Sequence, residues 1–338
     1  MRRIAILGAS GYAGAELFRL CLAHPALDVA WVAADTSAGT PVRELYPNLA
    51  AVAGDLTFVR YDPDLADGLD AVFLALPHGA SASVVPELAK RAGAVVDLSA
   101  DFRLKDPSLY DQWYGAAHPA PELLADFAYG LPELFRPTLT GATAIAVPGC
   151  YPTAAALALA PLVRGGVIEP SGVIVDAATG VSGAGRPAKA MTTFCTVDED
   201  FRAYGLVGHR HTPEIEQATG TSVLFTPHLA PMSRGILATC YARPAPGASG
   251  GDALDALAEA YRDEPFVVVG PESPSTKATA GSNCAHLTAR HDPRTGWVVA
   301  LCALDNLVKG AAGQAVQCAN LALGLDEPTG LPLAGIAP

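Results

Sequence analysis

Residues 3–14 read RIAILGASGYAG: a short apolar strand, the turn Gly8-Ala9-Ser10-Gly11-Tyr12-Ala13-Gly14, and then a helical pattern that runs to Ala23. A chain that leaves a buried strand and turns at once into a helix needs glycine at the corner. An anion reaching that corner meets bare backbone N–H groups at a helix N-terminus. The spacing is G-x-x-G-x-x-G rather than the commoner G-x-G-x-x-G, and it reads as a dinucleotide-phosphate turn. About 20 residues further on, Ala34-Asp35-Thr36-Ser37 closes a second apolar run, where an acid usually bonds the ribose of NAD. Thr36 and Ser37 can instead bond a 2′-phosphate, which the Asp35 carboxylate would repel. These residues alone leave NAD and NADP both open.

Outward from this turn, apolar runs alternate with helical patterns. Strands are expected at 3–7, 29–34, 56–60, 70–76, 94–98 and 142–147, with helices at 12–23 and 81–92. Strands apolar on both faces and separated by helices indicate a parallel sheet covered on both sides. The second half reads differently. Alternating strands at 173–178, 223–227, 236–243, 266–269, 284–290 and 297–304 are separated by few helices, one of them at 252–261, and predict an α+β domain. A last helical pattern rich in small residues spans 310–323.

The chain has 338 residues, enough for about two domains. Lys and Arg number 22 against 34 Asp and Glu, a formal charge of −12 without blocks of like charge, which argues against nucleic acid or an anionic membrane as partner. Residues 137–163 carry no charge, but Pro148, Pro152 and Pro161 argue against one membrane-spanning helix. The short, glycine-rich start lacks a cleavage site and reads as a buried strand, not a signal peptide. The seven cysteines are widely spaced without a C-x-x-C pair, so a reducing cytoplasm is expected, with neither a disulfide framework nor a metal site.

One cysteine stands apart. In Val147-Pro148-Gly149-Cys150-Tyr151-Pro152, the proline suits a first helical turn and the alanines that follow continue it. Cys150 then sits near an N-cap, where the helix dipole stabilises a thiolate, and a thiolate beside a nicotinamide suggests acyl transfer through a thioester. The segment Gly208-His209-Arg210-His211-Thr212-Pro213-Glu214 gathers two imidazoles, a guanidinium and a carboxylate. A histidine there can take the thiol proton and return it to the oxygen of a collapsing intermediate. In an extended segment His209 and His211 would point the same way. Arg103, Arg186 after the Ser182-Gly183-Ala184-Gly185 loop, and Arg234 can each hold a carboxylate or phosphate bidentately, although a surface salt bridge is the commoner role of a lone arginine.

Taken together these motifs resemble the N-acetyl-γ-glutamyl-phosphate reductase family. They comprise GASGYAG at 8–14, FLALPHG at 73–79, DLSADFRL at 97–104, YGLPEL at 129–134, VPGCYPTA at 147–154, SGAGR at 182–186, HRHTPEI at 209–215, SRGILAT at 233–239, GSN at 281–283 and DNLVKGAAGQAVQ at 305–317. The resemblance covers nearly the whole chain. It implies a Rossmann-type dinucleotide-binding domain formed by 1–149 and 306–338. An α+β catalytic and dimerisation domain of the glyceraldehyde-phosphate and aspartate-semialdehyde dehydrogenase type would then span 150–305. It implies NADPH-dependent reduction of an acyl phosphate to a semialdehyde in arginine biosynthesis, with Cys150 as nucleophile and His209 as the catalytic histidine. Substrate-binding roles fall to Arg103, Ser182, Gly183, Arg186, His211, Glu214 and Arg234. Cofactor contacts fall to Gly8, Ser10, Gly11, Tyr12, Ala13, Thr36, Ser37, Pro77, Gly183 and Asn306. A cytoplasmic homodimer or homotetramer acting on a small molecule is implied. An acyl group carried on a small acidic protein would need a basic docking surface, against which the net charge speaks. A non-catalytic dinucleotide-binding regulator would have no use for Cys150 and His209.

Overall fold

The computed structural model describes residues 1–249 and 251–337. The chain forms two compact units. The first comprises Met1–Asp111, Ala116–Pro148 and Ala311–Leu331; the second comprises Gln112–Gly115, Gly149–Gly310 and the tail from Pro332.

In the first unit, β1 (Arg2–Leu7), β2 (Leu27–Ala33), β3 (Ala71–Leu74), β4 (Val95–Asp97), β5 (Ala128–Tyr129) and β6 (Ala144–Ala146) make a parallel sheet in the order β2-β1-β3-β4-β6-β5. The central strand β3, Ala-Val-Phe-Leu, is apolar and completely buried, as expected of a parallel strand covered on both faces. The Tyr12–Ala23 and Gly313–Ala322 helices pack together on this sheet. The strand order reverses between β1 and β3, the place where open α/β sheets bind ligands beyond their strand ends. The expected strand at 56–60 does not form. Thr57 and Val59 make only single bridges, to Pro41 and to Ala33 at the end of β2.

The late segment joins the first unit through buried Gln317 and part-buried charged groups. Gln317 donates to Glu133 (3.0 Å) and Glu327 (2.8 Å), and Arg136 donates to Glu327 (2.9 Å). Three stretches bordering the first unit belong to the second. Asp305 and Asn306 accept the amides of Gly281 and Gly235 (both 2.7 Å), which keeps them in the second unit. Tyr114 donates to the Arg210 carbonyl (3.4 Å), which carries 112–115 there too. The tail beyond 331 belongs to the second unit because Pro332 accepts from the Asn283 amide and the Ile336 amide donates to Ala280 (each 2.8 Å).

The second unit is built on a mixed seven-stranded sheet in the order β11-β12-β13-β10-β7-β9-β8. Its strands are β7 (Val173–Gly180), β8 (Arg202–Ala203), β9 (Val223–Ala230), β10 (Ile236–Ala242), β11 (Val267–Val269), β12 (Ala285–Asp292) and β13 (Trp297–Leu304). Side chains alternate across it. In β10, Ile236, Ala238 and Cys240 are buried while Leu237, Thr239 and Tyr241 are half-exposed. The buried face carries the helices Cys150–Arg164, Thr212–Thr219 and Ala253–Ala260. The first of these is the core helix, buried from Tyr151 through Leu162 and tolerating Pro161 near its end.

Candidate active site

The turn after β1 has the shape of a phosphate cradle. Gly8 adopts φ +83°, and a Cβ there would lie 2.3 Å from the Ala75 carbonyl oxygen at the end of β3. A Cβ on Gly14 would lie 2.3 Å from the Gly8 oxygen, so helix and strand approach as closely as glycine permits. Gly11 is the N-cap of the Tyr12–Ala23 helix, which has no side-chain cap and no acid in its first turn. These amides fit a dinucleotide phosphate. The Tyr46 hydroxyl braces the loop from outside, donating to the Ser10 carbonyl (2.6 Å). Pro77 is exposed just beyond β3. Asp35, Thr36 and Ser37 form a single turn after β2, with the first two exposed.

In the second unit Cys150 is the first residue of its fifteen-residue helix, with Gly149 as N-cap. Its place is tightly defined. A Cβ added to Gly310 would come within 2.8 Å of the Cys150 Cβ, and the Gly310 amide donates five residues back to the Asp305 carbonyl (2.9 Å) in a π-type turn. Glu214, fully buried, accepts the Gly149 amide at 2.8 Å.

Cys150 opens on a cavity of about 210 Å³. Tyr151, Tyr204, His209, Arg210, His211 and Lys189 line it, with Thr179, Gly183, Ala184, Met191 and Leu229. His209 sits in a turn rather than an extended segment. Its ring meets Tyr151, Tyr204, Phe225 and His211 edge-on, with centroids 4.8 to 5.9 Å away. The Tyr204 hydroxyl donates to that of Tyr151 (3.2 Å), which donates to the His228 carbonyl (3.0 Å). The His211 amide donates to Nδ1 of His209 at 3.1 Å, so neutral His209 carries its proton on Nε2. Burial first, and the Arg210 charge second, push the His209 pKa down to about 4. Burial raises the Tyr204 phenol to about 12. The cavity thus joins a thiol at a helix start, a neutral imidazole, and two cations suited to an anionic substrate.

Of the substrate residues expected from sequence, Gly183 and His211 line this cavity. Ser182 stands beside Gly183 and accepts from the Asn306 amide (2.9 Å). Arg186 lies exposed on the same loop, and it is Lys189, three residues on, that reaches the lining. The other three expected residues have partners within the chain. Glu214 is buried and accepts the Gly149 amide at the helix start. Arg234 pairs with buried Asp305 (3.3 Å). Arg103, buried in the first unit, gives Nε and Nη2 to the carbonyls of Val147 and Leu98 (both 2.8 Å), so those donors serve the main chain. Asn306, expected at the cofactor, lies buried in the second unit, tying Gly235 to Ser182. Lys189 and Tyr204 line the cavity without a signal in the sequence, whereas Arg210 belongs to the 208–214 cluster.

Comparison with known proteins shows the family and the fold. Residues 3–142 match the semialdehyde dehydrogenase NAD binding domain, and 150–306 match the semialdehyde dehydrogenase dimerisation domain. The N-acetyl-gamma-glutamyl-phosphate reductase of Magnetococcus marinus is 49% identical over 97% of both chains. That of Desulforudis audaxviator is 47% identical over the full length of both. Among solved structures, aspartate semialdehyde dehydrogenase II of Vibrio cholerae superposes with a TM-score of 0.72 at 17% identity, covering 96% of this chain and 98% of that one. The Candida albicans aspartate semialdehyde dehydrogenase solved with NADP gives 0.70 at 14% identity, covering 96% and 98%. At these identities the solved structures speak to the fold.

Proposed function

The chain belongs to the N-acetyl-γ-glutamyl-phosphate reductase family, and from that premise we propose that it reduces N-acetyl-L-glutamyl 5-phosphate to N-acetyl-L-glutamate 5-semialdehyde and phosphate, with NADPH as reductant, in arginine biosynthesis. The observation that carries this reading is Cys150 at a helix start, opening on a cavity it shares with His209, Lys189 and Arg210.

In this reading the Cys150 sulfur attacks the acyl carbon. The carbon–oxygen bond to phosphate breaks, phosphate leaves with the electron pair and takes a proton from solvent, and a thioester remains. Lys189 and Arg210 hold the anionic groups of the substrate. NADPH, when bound, supplies a hydride to the acyl carbon. His209 presents Nε2–H to the oxygen that becomes negative there, a preorganised donor in a largely desolvated site. The oxyanion then collapses, the carbon–sulfur bond breaks, and Cys150 returns as thiolate while the aldehyde leaves. Gly8, Ser10, Gly11, Tyr12 and Ala13 would hold the cofactor's pyrophosphate, with Pro77 beside them; Thr36 and Ser37 would take its 2′-phosphate.

The open face of the seven-stranded sheet supports assembly as a homo-oligomer. Leu237, Tyr241, Val299 and Leu301 stand half-exposed there, within the region that matches the dimerisation domain. No disulfide joins any of the seven cysteines, which suits a cytoplasmic location.

The test runs the reaction in reverse. N-acetylglutamate semialdehyde, NADP⁺ and phosphate should generate NADPH absorbance that requires phosphate. Folded, cofactor-binding protein that gives no signal would contradict the proposed substrate.

A further inference from the structure

We propose that the thiolate of Cys150 is charge-partnered by Arg210 and the start of its own helix, and not by an imidazolium at His209. The inference rests on Cys150 being the nucleophile. An imidazolium carries protons on both ring nitrogens. In this structure Nδ1 of His209 already accepts the His211 amide at 3.1 Å, so a second proton there would set two N–H groups against each other. The aromatic edges of Tyr151, Tyr204, Phe225 and His211 restrict the ring from turning to relieve that clash. Burial and the neighbouring Arg210 both disfavour a charge on His209, in the same direction as the hydrogen bond.

Arg210 is placed for the alternative. It lines the cavity with Cys150, and the Tyr204 phenol lies within the electrostatic reach of both. Tyr114 holds the Arg210 main chain through its carbonyl (3.4 Å). Other charged groups of this unit have partners of their own. The Glu214 carboxylate lies on the Gly149 amide and opposes a thiolate, which raises the need for a cation. Asp305 is engaged by Arg234 and by the amides of Gly281, Leu307 and Val308. Lys309 lies over the Phe266 ring, 5.8 Å from its centre, and its charge acts on Cys284. Lys189 lines the cavity with its ammonium on the Ala184 carbonyl (3.3 Å). Tyr151 and Tyr204 hold their protons, and His211 is buried beside His209.

The experiment follows alkylation of the Cys150 peptide by iodoacetamide against pH, read by mass spectrometry on the whole protein without substrate. Cys195, the exposed cysteine of the seven, is resolved as a separate peptide. Arg210→Gln should raise the alkylation midpoint by ~1 pH unit, a roughly tenfold loss of thiolate below it, and Arg210→Lys should restore it. His209→Asn, which keeps an acceptor for the His211 amide, should leave the midpoint within ~0.3 unit. A midpoint raised by His209→Asn, or unmoved by Arg210→Gln, overturns the assignment. A wild-type Cys150 no more reactive than an ordinary thiol would instead strike at its role as nucleophile, a separate failure.

Discussion

Each side chain of the cavity has a task that its neighbours define. Cys150→Ser should fold and bind NADP⁺ yet lose essentially all turnover, since no other thiol lines the cavity among the described residues; measurable steady-state rate in that variant would contradict the thioester route. His209→Asn should lower kcat by about 10²–10⁴, far more than His211→Asn; the reverse order would exchange their roles. Burial of neutral His209 also shapes stability. Its folded pKa of about 4 lies below the ordinary 6.5, so between these values the unfolded chain binds more protons. This contribution to stability is complete above pH 6.5 and falls as pH drops towards 4. His209→Asn should therefore lose less stability than wild type between pH 7 and pH 5 in urea titrations. At this scale the sequence was partly legible. Residue type and a helix start pointed to Cys150. Nothing in the residue types of Glu214, Arg234 and Arg103 told whether their partners would be substrate or the protein's own backbone and carboxylates. That choice depends on distant neighbours such as Gly149, Asp305 and Val147.

Two elements carry the proposed chemistry, and both are legible where local physics dominates. The strand-turn-helix at 2–23 and the helix from Cys150 form as expected, because glycine corners, Pro152 in the first turn and runs of alanine specify them locally. The 56–60 segment looked like a strand from its own residues but meets only the end of β2 and Pro41, and pairing, unlike helix formation, needs a partner. The π-type turn that brings Gly310 against Cys150 had no sequence signal either. Gly310→Ala should displace the start of the Cys150 helix and lower kcat by roughly 10²-fold with KM little changed, because small misplacements of a nucleophile are that costly; a full rate would show that the contact has slack. At the end of β2, Asp35→Asn removes a carboxylate from the expected 2′-phosphate position and should tighten NADP⁺ about tenfold without tightening NAD⁺. Fluorescence titration with both nucleotides checks this.

At the scale of the whole molecule, the two-unit organisation follows from two kinds of sheet. One is parallel and apolar on both faces, and the other is mixed with one open face. Leu301→Glu on that open face should convert the oligomer to monomer in light scattering; an unchanged mass would place the interface elsewhere. The proposed reaction assigns the cofactor phosphates to the turn in the first unit and the acyl group to the thiol in the second. The most direct test therefore withholds phosphate. With N-acetylglutamate semialdehyde and NADP⁺ alone, the account predicts one NADPH equivalent per active site and an acyl group found by mass spectrometry on the Cys150 peptide, released when phosphate is added. A burst of NADPH with no acylated Cys150, or with the acyl group on another residue, would contradict it.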